Sequence, residues 1–308
     1  MTLETHQLQQ LITGMRTAYA AGANVMAHAR DTAGTSTNAT LATLVAYDLQ
    51  TGTYNALARR NPGMNEKWCV QLAAMLAPFV KEADAVLEAG CGEATTFAGV
   101  LARLPVAPAR ALGFDLSWSR CTEGRAWLAE QGTEAELFVA DLFRIPLADE
   151  SVEVVYTSHS LEPNGGREVE ALRELLRVTR RTLVLVEPAY ELADEEARAR
   201  MRQHGYVRGL REILERLGAK ITRHELLGFS INPRNPSGLL VVEKSSSAAA
   251  AASPAFQCPL THTPLVNAGD AWVSERTGLV YPVLRGIPLL RPEHAVVASK
   301  FESAVPVS

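Results

Sequence analysis

The spacing of apolar residues changes along the chain. Over residues 1–80 they recur at helical intervals, Leu8, Leu11, Ile12 and Met15 and again Leu72, Met75, Leu76 and Phe79, which predicts an N-terminal helical extension. From Ala83 the pattern becomes short β-like runs, AVLEA, ARALGFD, AELFVAD, VEVVYTS and RTLVLVEPA, separated by helix-like segments such as TTFAGVLARL, SRCTEGRAWLAEQ and EVEALRELLRVT. Strands alternating with helices imply right-handed crossovers and an α/β fold, its mostly parallel sheet covered on both faces. One long helix is predicted over about residues 193–217, followed by two last strands, AKITRHELLGF and SGLLVVEK, joined by the Pro/Asn-rich SINPRNP.

The Ser/Ala/Pro segment 245–255 has no apolar periodicity to dock and reads as a linker. It divides a main domain, 81–244, from a small β-rich module, 256–308, too short for a large core of its own and so expected to lean on the main domain or a partner. A formal charge of −4 argues against a surface given over to nucleic acid. Cys69, Cys91, Cys121 and Cys258 are too scattered for a disulfide framework or a four-cysteine metal site, which suggests a reducing, cytoplasmic setting. The N-terminal residues do not read as a signal peptide, and no apolar run is long enough to span a membrane.

The sharpest chemical signal is VLEAGCGEATT, residues 86–96, at a predicted strand-to-helix junction. Gly90 and Gly92 allow a tight turn and close approach of backbone to ligand, and the next helix offers free amide donors. Thr95 stands where a dinucleotide turn wants its third glycine, and Glu88 is awkward beside a pyrophosphate but suits a cation. The next two strands also end in carboxylates, Asp115 and Asp141. Each alone reads as a helix cap or loop residue; together with the turn they line one sheet edge.

With the segment DLFRIPLADESVEVVYTS, these residues resemble class I S-adenosylmethionine-dependent methyltransferases of the type 11-like group, although Glu153 stands where that pattern has Asp. The resemblance implies a Rossmann-like, seven-stranded, mostly parallel sheet and S-adenosyl-L-methionine as cofactor. It places Glu88, Gly90, Cys91, Gly92, Asp115, Leu116, Asp141, Leu142 and Ser158 in the cofactor site, with Asp115 on the ribose and Asp141 and Leu142 at the adenine. The acceptor then lies beyond the fourth strand, at TSHSLEPN. There His159 acts as a general base or only packs against the cofactor, while Glu162 and Asn164 hold a polar acceptor. At the end of the fifth strand Glu187 is a further substrate-binding residue, and Tyr190 orients the nucleophile or caps the sheet edge. Tyr47 and Tyr54 form a lid over the sulfonium, or staple the extension to the core.

GLVYPVLRGIPLL, residues 278–290, with Cys258-Pro259, resembles the zinc-ribbon-like activator subunit of tRNA and protein methyltransferases. That family's other cysteines are missing here, so no metal is expected. The leading function is methyl transfer to oxygen or nitrogen of a polar small molecule, such as a sugar, glycan or secondary-metabolite intermediate, because SHSLEP replaces the loop that grips nucleic-acid bases in some relatives. A tRNA or protein methyltransferase and a non-catalytic cofactor-binding protein are the rivals. Nucleic acid is the weaker partner, no membrane is expected, and a homodimer stays open.

Overall fold

The computed structural model describes residues 5–34, 38–244 and 255–301. Apart from Ala255, the expected linker lies outside them. Five helices come first: α1 (Thr5–Ala20), α2 (Val25–Ala33), α3 (Thr40–Leu49), α4 (Thr53–Arg60) and α5 (Pro62–Leu76). The α/β alternation follows, with β1 (Ala85–Ala89), α6 (Thr95–Leu101), β2 (Arg110–Asp115), α7 (Trp118–Glu130), β3 (Glu136–Val139), β4 (Val152–Ser158), α8 (Glu168–Val178) and β5 (Thr179–Pro188). Then come α9 (Glu195–His204), α10 (Leu210–Arg216), β6 (Ile221–Leu226) and β7 (Ser237–Glu243).

The expected seven-stranded sheet has the order β3-β2-β1-β4-β5-β7-β6, parallel except that β7 runs antiparallel to both neighbours. Strand order reverses between β1 and β4, so a crevice opens outside their carboxyl ends. The central strands read as continuous apolar runs because both faces are covered: α8 buries Ala171, Leu172, Leu175 and Val178 on one side, and α5 and α6 bury Trp68, Leu72, Phe97 and Val100 on the other. Glu153, the departure from the family pattern, accepts the Ala85 N–H at 2.9 Å and so ties the start of β1 to β4.

The single helix expected over 193–217 is two. Helix α9 ends at Gly205, φ +69°, whose N–H caps the Arg202 carbonyl, and α10 restarts after Gly209. The apolar repeat continued across the break because both helices bury the same kind of stripe, Ala197 and Met201 in one, Leu210, Ile213 and Leu214 in the other.

The C-terminal module carries β8 (Val266–Asn267), β9 (Ala271–Ser274), β10 (Leu279–Leu284), β11 (Ile287–Pro288) and β12 (Val296–Val297). It leans on the main domain. Leu290 N–H donates to Val139 O, so the module continues the hydrogen bonding of edge strand β3, and Gln257 N–H donates to Pro146 O. Phe256 packs edge-on to Phe138 at 4.9 Å and to Trp272 at 4.7 Å, merging the module into the core on one face of the sheet. Beside Cys258, whose thiol meets the Tyr281 hydroxyl at 3.2 Å, Thr261, Thr263, Ser274 and Thr277 form a hydroxyl network. Phe256→Ala should cost about 3–5 kcal/mol, measured by urea unfolding, and lose the cooperativity between module and main domain; an unchanged midpoint would refute this packing.

Candidate active site

Strands β1 to β4 each bring a side chain to the crevice at or just after their carboxyl ends. The turn after β1 folds back on the sheet: Cys91 N–H donates to Phe114 O, and Gly92 N–H donates to Asp115 Oδ2 at 3.1 Å. Gly90 and Gly92 have φ of +77° and +57°. A Cβ on Gly90 would strike Ser160, and one on Gly92 would lie 2.6 Å from Arg120 Nη2, so only bare backbone fits between the turn, the loop after β4 and α7. Asp115 also accepts the Ser117 N–H, which fixes its carboxylate at the mouth of β2. Asp141, after β3, accepts the Phe143 N–H, and its burial raises its pKa.

Glu88 is 2% exposed. It accepts the Tyr156 hydroxyl at 2.9 Å, yet burial dominates and pushes its pKa up to about 8. A buried carboxylate with a single neutral donor is costly to ionise, and a cation beside it would offset that cost.

The crevice has a roof. Helices α3 and α4 cross it, with the faces of the Tyr47 and Tyr54 rings 5.1 and 4.8 Å from the Arg120 guanidinium. Glu93, directly after the glycine turn, accepts the Gly52 and Asn55 N–H groups at 2.9 and 3.0 Å, capping the N-terminus of α4 from outside the helix. Ser117 Oγ donates to Asp48 at 2.6 Å on the same side, and on the other Asn38 Nδ2 donates to Pro163 O and Arg167 to Thr40 Oγ1. The cavity beneath the roof is about 200 Å³.

All the expected cofactor residues, Glu88, Gly90, Cys91, Gly92, Asp115, Leu116, Asp141, Leu142 and Ser158, line this cavity, as do Tyr47, Tyr54, His159, Glu162 and Asn164. Two expected residues do not. Tyr190 turns outward, its hydroxyl accepting from Arg202 at 3.0 Å, and borders a separate depression between α9 and α10. Glu187 lies beneath the loop after β4, where it accepts the N–H groups of Ser160, Leu161 and Glu162 at 3.0–3.1 Å, so it shapes the acceptor wall without facing it. Burial raises its pKa to about 7 despite the opposing charge of His159.

His159, at φ +57°, has both ring nitrogens engaged: Nδ1 meets Glu162 Oε2 at 2.5 Å and Nε2 meets Ser237 Oγ at 2.7 Å. That leaves neither nitrogen for a substrate. Burial would depress its pKa, but the hydrogen bond and charge of Glu162 prevail and raise it; Glu162 is correspondingly held below its ordinary value. Asn164 spends its Nδ2 on the carbonyls of Ser160 and Leu161. The residues that sequence reasoning missed are Arg120, Glu93, Ser237 and Asn235, the last donating to Glu162 at 3.2 Å. Arg120 is the third residue of α7, on the turn facing Gly92.

The donor set fits the expected cofactor: bare-backbone glycines, an uncompensated carboxylate for a cationic group, and fixed carboxylates at the ends of β2 and β3. Because Glu88 binds its proton more tightly folded than unfolded, stability falls as pH rises from its unfolded value near 4.5 to about 8. Glu88→Gln should therefore flatten that slope and raise the unliganded Tm at neutral pH by about a few degrees. A lower Tm across pH 6–8 would contradict this.

Comparison with known proteins agrees. Residues 86–182 match the family model described as a methyltransferase domain. No curated protein matches the chain. Among solved structures, magnesium protoporphyrin IX methyltransferase from Synechocystis PCC 6803, with bound SAH, is 15% identical, covers 65% of this chain and 98% of its own, and superposes with a TM-score of 0.50. A chain from the complex of the Haloferax volcanii Trm112 methyltransferase activator with a methyltransferase is 18% identical over 64% of this chain and 97% of its own, with a TM-score of 0.49. A SAM-dependent methyltransferase from Aquifex aeolicus is 18% identical over 55% and 87%, at 0.44. The domain match takes in the glycine turn and the three carboxylate-bearing strands: residues 86–182 form a methyltransferase domain, and the fold around them is shared with the magnesium protoporphyrin IX methyltransferase.

Proposed function

We propose that the chain transfers a methyl group from S-adenosylmethionine to an oxygen or nitrogen of a polar small molecule, a sugar, glycan or secondary-metabolite intermediate being the chemistry that suits the walls. The observation that carries this reading is Glu162, a carboxylate held ionised at the acceptor end of the cavity by His159 and Asn235. Both of those partners meet its Oε2, and a polar acceptor can add a hydrogen bond to the carboxylate that an apolar one cannot. The roof, tied down on both flanks, supports a small acceptor over a macromolecule, and no described helix is long and apolar enough to cross a membrane.

When bound, the cofactor supplies an activated methyl group on a sulfonium. The chain's own residues then position and desolvate. Tyr47 and Tyr54 close over the cavity, Glu187 fixes the three amides after β4, and Glu162 accepts the hydrogen bond of an acceptor O–H or N–H. His159 is a positioning residue: through Ser237 it fixes which Glu162 oxygen faces the cavity.

The test is tritiated methyl transfer from S-adenosylmethionine into a metabolite extract of the host. Label should enter a low-molecular-weight product, and Glu162→Gln should lower the rate by about 10²-fold while S-adenosylhomocysteine affinity stays within twofold. Label confined to macromolecules would contradict the small-molecule reading.

A further inference from the structure

Arg120 has no place in the account so far. It is 7% exposed, and it is the one arginine or lysine among the described residues lining the cavity, whose other charged groups are Glu88, Glu93, Asp115, Asp141 and Glu162, with His159. Its Nε has no hydrogen-bond partner among the described residues. The one carboxylate within ion-pair range is Asp115, 3.9 Å from Nη1, and that group is already held by the N–H of Gly92 and of Ser117. Glu93 is likewise spent on capping α4. The tyrosine rings meet the guanidinium through their faces, which attracts its charge but accepts none of its in-plane N–H groups.

A buried guanidinium whose Nε–H lacks a partner and whose ion pair is long is costly unless something completes it. Resting on the Gly92 turn under Tyr47 and Tyr54, it is part of the cavity wall. The matching chemistry is a planar oxyanion taken side by side, in which two N–H groups pair with two oxygens. Neutralising Asp115 and Glu93 is the competing explanation. It accounts for the charge, but not for an unpaired Nε or for a geometry that stops 3.9 Å short of a carboxylate.

We propose that Arg120 is the receptor for a carboxylate of the bound ligand, carried either by the amino-acid end of the cofactor or by the methyl acceptor. The proposal rests on the reading of this cavity as the S-adenosylmethionine site. In the first case Arg120 anchors the cofactor beneath the lid; in the second the acceptor is a carboxylic acid and Arg120 sets its orientation.

Isothermal titration of wild type, Arg120→Met and Arg120→Lys with S-adenosylhomocysteine and with 5′-methylthioadenosine, which lacks the amino-acid end, separates the sources. Circular dichroism and Tm verify that each variant folds. If the cofactor supplies the carboxylate, Arg120→Met weakens S-adenosylhomocysteine by about 10–100-fold and leaves 5′-methylthioadenosine unchanged, with Lys recovering part of the loss. If the acceptor supplies it, both nucleosides bind all three proteins alike. Tritiated methyl from S-adenosylmethionine then enters the fraction of a host metabolite extract retained by an anion exchanger, and Arg120→Met lowers that transfer at least tenfold. A loss of both nucleosides in equal measure, or no Arg120-dependent loss in either arm, overturns the proposal. Failure of wild type to bind S-adenosylhomocysteine would instead remove the cofactor reading itself.

Discussion

Burial of Glu88 at the carboxyl end of β1 is the constraint around which the site is built. A carboxylate in the middle of a sheet, with only the Tyr156 hydroxyl to solvate it, holds its proton up to about pH 8. The fold holds it there because β1 is central, paired with β2 on one side and β4 on the other. A cationic ligand converts this liability into binding, since the charge that burial disfavours becomes half of an ion pair. The glycine turn two residues later follows from the same demand: the ligand must come close enough to reach Glu88, and a side chain at residue 90 would meet Ser160 first.

Closure of the cavity is coupled to that turn by Glu93. One carboxylate, fixed by the fold of the turn, caps the helix that carries Tyr54, so the glycine turn and the roof form one hydrogen-bonded unit. The loop after β4 is secured from below by Glu187 and from the side by Asn38, which makes the acceptor wall as firmly held as the cofactor wall. The module contributes indirectly. By extending the bonding of β3 it protects the strand whose end presents Asp141.

The alternation of strands and helices was legible because each buried strand is a continuous apolar run, and the residues that line the cavity from β1, β2 and β3 were legible because they lie at or directly after the ends of those strands. The acceptor wall was less so. His159, Glu162 and Asn164 reach the cavity, yet their partners, Ser237 and Asn235, come from some 70 residues further along, and only the antiparallel return of β7 beside β5 brings them there. Tyr190 was misplaced because the chain after β5 turns toward α9, where Arg198 and Arg202 hold it outside. Arg120 gave no signal in its own helix, which reads as an ordinary surface segment, since its significance depends on two tyrosines some 70 residues earlier. The break between α9 and α10 was hidden by an apolar stripe that resumes after the turn.

The central claim is that Glu88, protonated when the cavity is empty, is the group that meets the cofactor's positive charge. Calorimetric titration of S-adenosylmethionine at pH 7, in two buffers of different ionisation enthalpy, measures the protons exchanged on binding. The account requires release of close to one proton, affinity that strengthens by up to about tenfold per pH unit between pH 6 and 8, and loss of both effects in Glu88→Gln. Tight binding with no proton released, unchanged in Glu88→Gln, would contradict it.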